Sequence, residues 1–123
     1  MNVSIFLAIK AVISILTGLS FLLIPAYALS FYDVSLPAEG LFFARLFSAM
    51  ALGIGGICWF ARTMPIESRQ AVILSLFVAD TIGLIVTLMA QSQGLVNSLG
   101  WVNVAILVFL VGGLGYFRFV SKA

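Results

Sequence analysis

The sequence has no histidine, one cysteine (Cys58), and only six basic and four acidic residues among 123. Without histidine there is no imidazole axial ligand for haem, no two-His-one-carboxylate iron site and no His-bearing zinc site of the membrane-protease kind. A single cysteine cannot cycle an intrachain disulfide, so thiol oxidation through paired cysteines is excluded. Cys58 itself lies in an apolar stretch, where a free cysteine behaves as a small hydrophobe. The basic residues are scattered, and despite a sequence pI near 9.0 they form no surface for nucleic acid. No metal or cofactor is expected from these side chains, and no nucleophile and base stand in a recognisable constellation.

What the chain has instead is apolar length. It is 63% hydrophobic and 8% charged, with a mean hydropathy of +1.26, far from the roughly 25% charged residues of a soluble domain. These values describe an all-α integral membrane protein. Apolar runs extend over about 4–28, 40–61, 71–90 and 99–117, and each reaches the roughly 20 residues that cross a bilayer. The chain is therefore expected to be one four-helix transmembrane domain with short loops. Pro37 and Pro65 each stand two residues before a glutamate, Glu39 and Glu67, which fits proline at the first helical position and an acid in the first turn.

Charge distribution sets the expected orientation. Arg62 and Arg69 lie between the second and third runs, Arg118 and Lys122 after the fourth, and Lys10 near the start, whereas the other two loops hold no lysine or arginine. By the positive-inside rule both termini are cytoplasmic and the Asp33/Glu39 region is outside. Tyr27, Phe31, Tyr32 and Trp101 then mark the outer boundary, and Trp59, Phe60, Tyr116 and Phe117 the inner one. Lys10, the apolar run after it and Ala26-Tyr27-Ala28 imitate a signal peptide with a small-x-small cleavage site. The residues before Lys10 are themselves apolar, so a retained first span is expected.

Three charges lie inside the apolar runs: Lys10, Arg45 and Asp80. An ionisable group stranded in hydrocarbon costs about 2.5–3.5 kcal/mol even on insertion scales, which makes each a candidate functional position. Asp80 sits eleven residues past Arg69, about 16 Å deep, and its short side chain cannot snorkel out; it must be protonated, paired or in contact with water. Lys10 can reach the inner boundary and Arg45 the outer one. Arg45 is offset axially from Asp80 by about 5 Å and Lys10 by about 7 Å, so either is a possible partner.

Polar residues share faces with these charges. Lys10, Ser14 and Thr17 follow helical spacing in the first span, as do Asp80, Gly83 and Thr87 in the third. The third span also carries Ser75, Ala79, Gly83, Thr87 and Gln91 at four-residue spacing. In the second, Gly40, Ala44, Ser48 and Gly56 share one row, while Ala49 and Gly53 lie above Arg45 on the next. Small residues in such rows let helices approach closely in lipid, so the second and third spans are expected to form the central pair. The alternative use of the stripes is a narrow polar cavity running from Arg45 through Asp80 to Lys10.

The second span and its flanks, from Leu41-Phe42-Phe43-Ala44-Arg45-Leu46-Phe47-Ser48-Ala49 through Gly53 and Gly55 to Trp59-Phe60-Ala61-Arg62, resemble small bacterial DoxX-like four-helix membrane proteins. The resemblance covers about a fifth of the chain. It implies a compact four-helix bundle with both termini on one side, and it makes Arg45 a position of interest.

Together these features suggest a small protein of the bacterial inner membrane, oligomeric or partnered with another membrane protein. Its expected type is structural or interaction-mediating and non-enzymatic, with an ionic cluster around Asp80. The alternatives are a proton- or cation-coupled transporter or channel component, and a lipid- or quinone-binding protein.

Overall fold

The computed structural model describes residues 2–121, and all regular structure among them is helical. Lys122, counted above among the basic residues of the C-terminal tail, lies outside the described residues. Helix α1 spans Val3–Leu23, α2 Pro25–Ser30, α3 Ala38–Ala61, α4 Ile66–Ser92 and α5 Gly100–Gly115, the last continuing through a wider π-helical turn, Tyr116–Val120. Four of these stretches (α1, α3, α4, and α5 with its π turn) are long and apolar enough to cross a membrane.

The helix limits follow local chemistry and correct the sequence expectation at several ends. The first run does not continue to Ala28. Pro25 has no N–H to donate and disfavours helical geometry at the residue before it, so α1 stops at Leu23 and Ile24 turns out at φ −136°, ψ 55°. The chain restarts as the short α2, with Pro25 in its first turn. At the opposite end, Asn2 caps α1 by accepting a 2.8 Å bond from the Ile5 N–H. Pro37 and Pro65 occupy the cap positions of α3 and α4, one residue earlier than expected, while Glu39 and Glu67 lie in the first turns as expected. Helix α4 runs past the third apolar run at both ends, starting at the Pro65 signal; within these extensions Gln70 donates to the Phe117 carbonyl at 3.0 Å and Gln91 to that of Asn97 at 3.0 Å.

The helices associate as two antiparallel pairs, α1 with α3 and α4 with α5. This overturns the expectation that the second and third spans form the central pair, since α3 and α4 are in little contact. Backbone approach explains it. Ser48, Ala51, Gly55 and Cys58 form a buried seam on α3 at alternating three- and four-residue spacing, opposite Ala11 and Gly18 of α1. A Cβ on Gly18 would stand 2.7 Å from Leu52 Cγ and 3.1 Å from the Ser48 carbonyl; one on Gly55 would stand 2.6 Å from Ile15 Cγ1 and 3.2 Å from the Ala11 carbonyl. In contrast, a Cβ on Gly53, Gly56 or Gly83 would meet nothing within 4 Å, so these three glycines hold no helix in place. Of the other expected packing positions, Ser48 is fully buried and Ala44 half-buried, while Ser75 and Ala79 are exposed.

The two pairs meet firmly only in the half of the bundle that carries both termini. There Val3, Phe6, Leu7 and Ala11 of α1 pack with Cys58 and Ala61 of α3, Ile73 and Leu76 of α4, and Leu110, Leu114 and Phe117 of the last helix. The Phe6 ring lies on Gly113, where any side chain would collide with it, and stacks at 5.5 Å from both Phe109 and Phe117.

In the other half the pairs are joined at the loops. Asn97 donates through Nδ2 to the Phe31 carbonyl (2.9 Å) and Asp33 Oδ2 (3.2 Å), its backbone N–H donates to the Tyr32 carbonyl (3.2 Å), and its own Oδ1 accepts from the Leu99 N–H (3.0 Å). Asp33 adopts the left-handed conformation (φ 57°) that closes the turn after α2, a geometry that costs a non-glycine residue about 1–2 kcal/mol. Truncating Asn97 to alanine is expected to remove this latch at a cost of about 1–2 kcal/mol. Hydrogen exchange should show faster amides over residues 29–36 and 95–100 with the terminal half unchanged; uniform exchange across both halves would contradict the assignment.

Candidate functional site

The site is built from the same division into a packed and an open half. Lys10 falls at the boundary: on α1 it follows Phe6 and Leu7 of the packed core and precedes Ser14 and Thr17 on the same face. Asp80 is near the midpoint of α4. Lys10 Nζ donates to Asp80 Oδ2 at 2.7 Å, with side-chain exposures of 4% and 15%. A charged hydrogen bond of this length is of the strong kind, and it answers the question posed by an aspartate at that depth: Asp80 is paired.

The partner is Lys10, which sequence reasoning placed first at the membrane boundary. Arg45, the alternative, is not part of the cluster. It is exposed, and its Nε donates at 3.4 Å to the Leu22 carbonyl in the last turn of α1. A cation there complements the negative end of the α1 dipole and a carbonyl without an intrahelical partner. The expected path from Arg45 through Asp80 to Lys10 is therefore replaced by another.

From the ion pair a cavity of about 840 Å³ opens between the helix pairs toward the loop end. Along α1 its wall runs from Lys10 to Ile24, about 20 Å at the helical rise. Its polar lining comprises Lys10 and Asp80 at the floor, then Ser14, Thr17, Ser20 and Thr87, and near the loops Tyr32 and Asn103. The remaining wall is apolar, with Phe21, Phe47, Met50 and Tyr27 among its large side chains. Phe47 and Met50 of α3 are 54% and 65% exposed and Leu16 of α1 61%, so the wall is open at the flanks between the two helix pairs. At the loop end α2 and the latched 31–33 turn lie over the cavity, and Tyr32 donates to Asn103 Oδ1 at 3.2 Å across it.

The candidate residues Lys10, Asp80, Ser14, Thr17 and Thr87 thus share one cavity, with Ala79 and Gly83 in its wall. Gly83 allows the cavity to exist beside Asp80, because a side chain there would project into open space. Sequence reasoning missed Ser20, which continues the Lys10, Ser14, Thr17 stripe by one more turn, and Tyr32, which it assigned only to the aromatic boundary. Asn103 of α5 takes its partner from the turn after α2, accepting from Tyr32.

Lys10 and Asp80 are paired with each other, and among the described residues no group of three or more Cys, Asp or Glu side chains could hold a metal ion. What the arrangement offers is a polar floor under a long apolar chamber. No protein-family model, curated protein or solved structure matches the chain.

Proposed function

We propose that this chain is a non-enzymatic binding protein of the bacterial cytoplasmic membrane, which holds a small amphipathic molecule with its polar end on Lys10 and Asp80. Both termini are cytoplasmic in this reading: Arg62, Arg69 and Arg118 cluster at the terminal end, and Asp33 and Glu39 lie at the other. Arg62 stacks over the Trp59 ring at 3.7 Å, a pairing suited to the headgroup boundary.

The observation that carries the reading is the position of the ion pair at the closed end of the cavity. A buried pair kept only to fasten two helices would be enclosed on all sides, since open space next to it adds no stability. Here the protein is dense on one side of the pair and hollow on the other. The volume falls in the range of small-molecule sites, about 300–1,000 Å³, and a mostly apolar wall with a few converging polar groups is their usual make-up. A channel fits less well, because Phe6, Leu7, Leu110 and Leu114 fill the bundle on the terminal side of Lys10.

The test uses Gly83→Trp, which places an indole in the chamber without displacing backbone. Native mass spectrometry of the parent, extracted from its own membrane in mild detergent, should show a small-molecule adduct; the variant should lose the adduct and unfold at the midpoint of the delipidated parent. An adduct retained at equal occupancy by Gly83→Trp, or a parent that carries none, would overturn the reading.

A further inference from the structure

We infer that the molecule held in this cavity is an uncharged, single-chain amphiphile with a hydroxyl-bearing head, taken up from the bilayer through an open flank between the two helix pairs. The inference rests on the binding reading above and specifies its ligand.

Charge is the first consideration. The cavity lining contains two ionisable groups of opposite sign at its floor, Lys10 and Asp80, already joined at 2.7 Å, and no other lysine, arginine, aspartate or glutamate. Arg45, the nearest candidate for recognising an anion in this half, is not in the lining. An anionic head on the floor would face Asp80, and a cationic head would face Lys10, each in a setting where charges are weakly screened. An uncharged head meets neither penalty.

Hydrogen-bonding capacity specifies the head further. An ammonium has three donors, and Lys10 spends one on Asp80; the carboxylate retains Oδ1 as an acceptor. Above them, the Ser14 and Thr17 hydroxyls make no hydrogen bond to the described protein, whereas Ser20 and Thr87 donate to the Leu16 and Gly83 carbonyls of their own helices (2.8 and 2.7 Å) and keep acceptor capacity. The floor therefore presents donors and acceptors together. A hydroxyl, which donates and accepts, matches both; an ether or a hydrocarbon end would leave Asp80 Oδ1 without a partner.

The rest of the chamber specifies the tail and the route. Its length of about 20 Å and apolar wall suit one extended hydrocarbon chain. At the loop end α2 and the 31–33 turn stand over it, fastened by Asn97. Phe47 and Met50 stand at the flank, at the depth of the acyl chains, so a molecule dissolved in the bilayer reaches the site without passing through water.

The test compares three probes with one chain and different heads: 1-monooleoylglycerol (uncharged), oleyl phosphate (anionic) and oleylamine (cationic). Each is titrated into the delipidated protein in mild detergent, with the thermal midpoint as readout, on the parent and on Gly83→Trp. The glycerol probe is expected to raise the parent midpoint with an apparent affinity at least tenfold better than either charged probe, and to leave Gly83→Trp unmoved. Asp80→Asn, which leaves Lys10 alone at the floor, should shift the preference toward oleyl phosphate. If a charged probe binds the parent as well as the glycerol probe does and is blocked by Gly83→Trp, the cavity reading stands and the ligand class is wrong. If none of the three binds the parent, or Gly83→Trp blocks none of them, the cavity reading itself fails.

Discussion

Replacing Lys10 with methionine is expected to destabilise the folded bundle by about 3 kcal/mol, the lower part of the range for removing one partner of a buried ion pair. The lower part applies because Asp80 retains 15% side-chain exposure and can draw on water or ligand in the cavity. Methionine matches the length of the lysine stem, so packing against the core below is kept and the loss reports the charge. Adding Asp80→Asn should recover more than half of the loss, since the orphaned carboxylate is then gone. Arg45→Gln combined with Asp80→Asn should be additive within about 0.5 kcal/mol, as expected of groups that share no contact. Thermal or denaturant unfolding in detergent measures the parent, the three single variants and the two double variants. Strong coupling of Asp80 to Arg45, or none to Lys10, would contradict the site geometry.

The second large effect separates two adjacent glycines. Gly55→Leu is expected to destabilise by about 3 kcal/mol or to block folding, because its side chain starts 2.6 Å from Ile15 Cγ1 and 3.2 Å from the Ala11 backbone carbonyl, and α1 cannot yield without leaving the seam. Gly56→Leu, one residue on, projects into open space. It should be neutral or stabilising by up to about 1 kcal/mol, the difference in helix propensity. The same unfolding measurement applies, and equal losses at both positions would show that α1 and α3 are not packed along Ser48, Ala51, Gly55 and Cys58.

These two cases also mark where the sequence stops being informative. Four apolar stretches, their approximate limits and the singular depth of Asp80 follow from hydropathy and helical rise, because these depend on the chain alone. The partner of Asp80 does not. Axial arithmetic put Arg45 and Lys10 within about 2 Å of each other in offset, and the choice between them turns on which face each helix presents to which neighbour. The small-residue rows fail for the same reason: four-residue spacing singles out Gly53 and Gly56, and only the position of α1 makes Gly55, which those rows leave out, the buried one. The stop at Leu23 was visible as Pro25, but unbroken hydrophobicity on both sides hid it. The Asn97 latch had no signal in periodicity, as it joins two loops distant in sequence. The polar stripe of Lys10, Ser14 and Thr17 was legible, and what could not be read from it was that it lines one cavity with Asp80 and Thr87.

That contrast between a packed and a hollow half is the centre of the account, and the chain carries its own control for it. Cys58 is fully buried in the packed half, while Thr17 lines the cavity. The most direct measurement is labelling of the parent and of Thr17→Cys with a small thiol-reactive maleimide in mild detergent, read by intact-mass spectrometry. No label is expected on the parent and one per chain on Thr17→Cys, reduced when 1-monooleoylglycerol is present. A Thr17→Cys protein as unreactive as the parent, in the absence of added amphiphile, would mean that the space above Lys10 and Asp80 is closed.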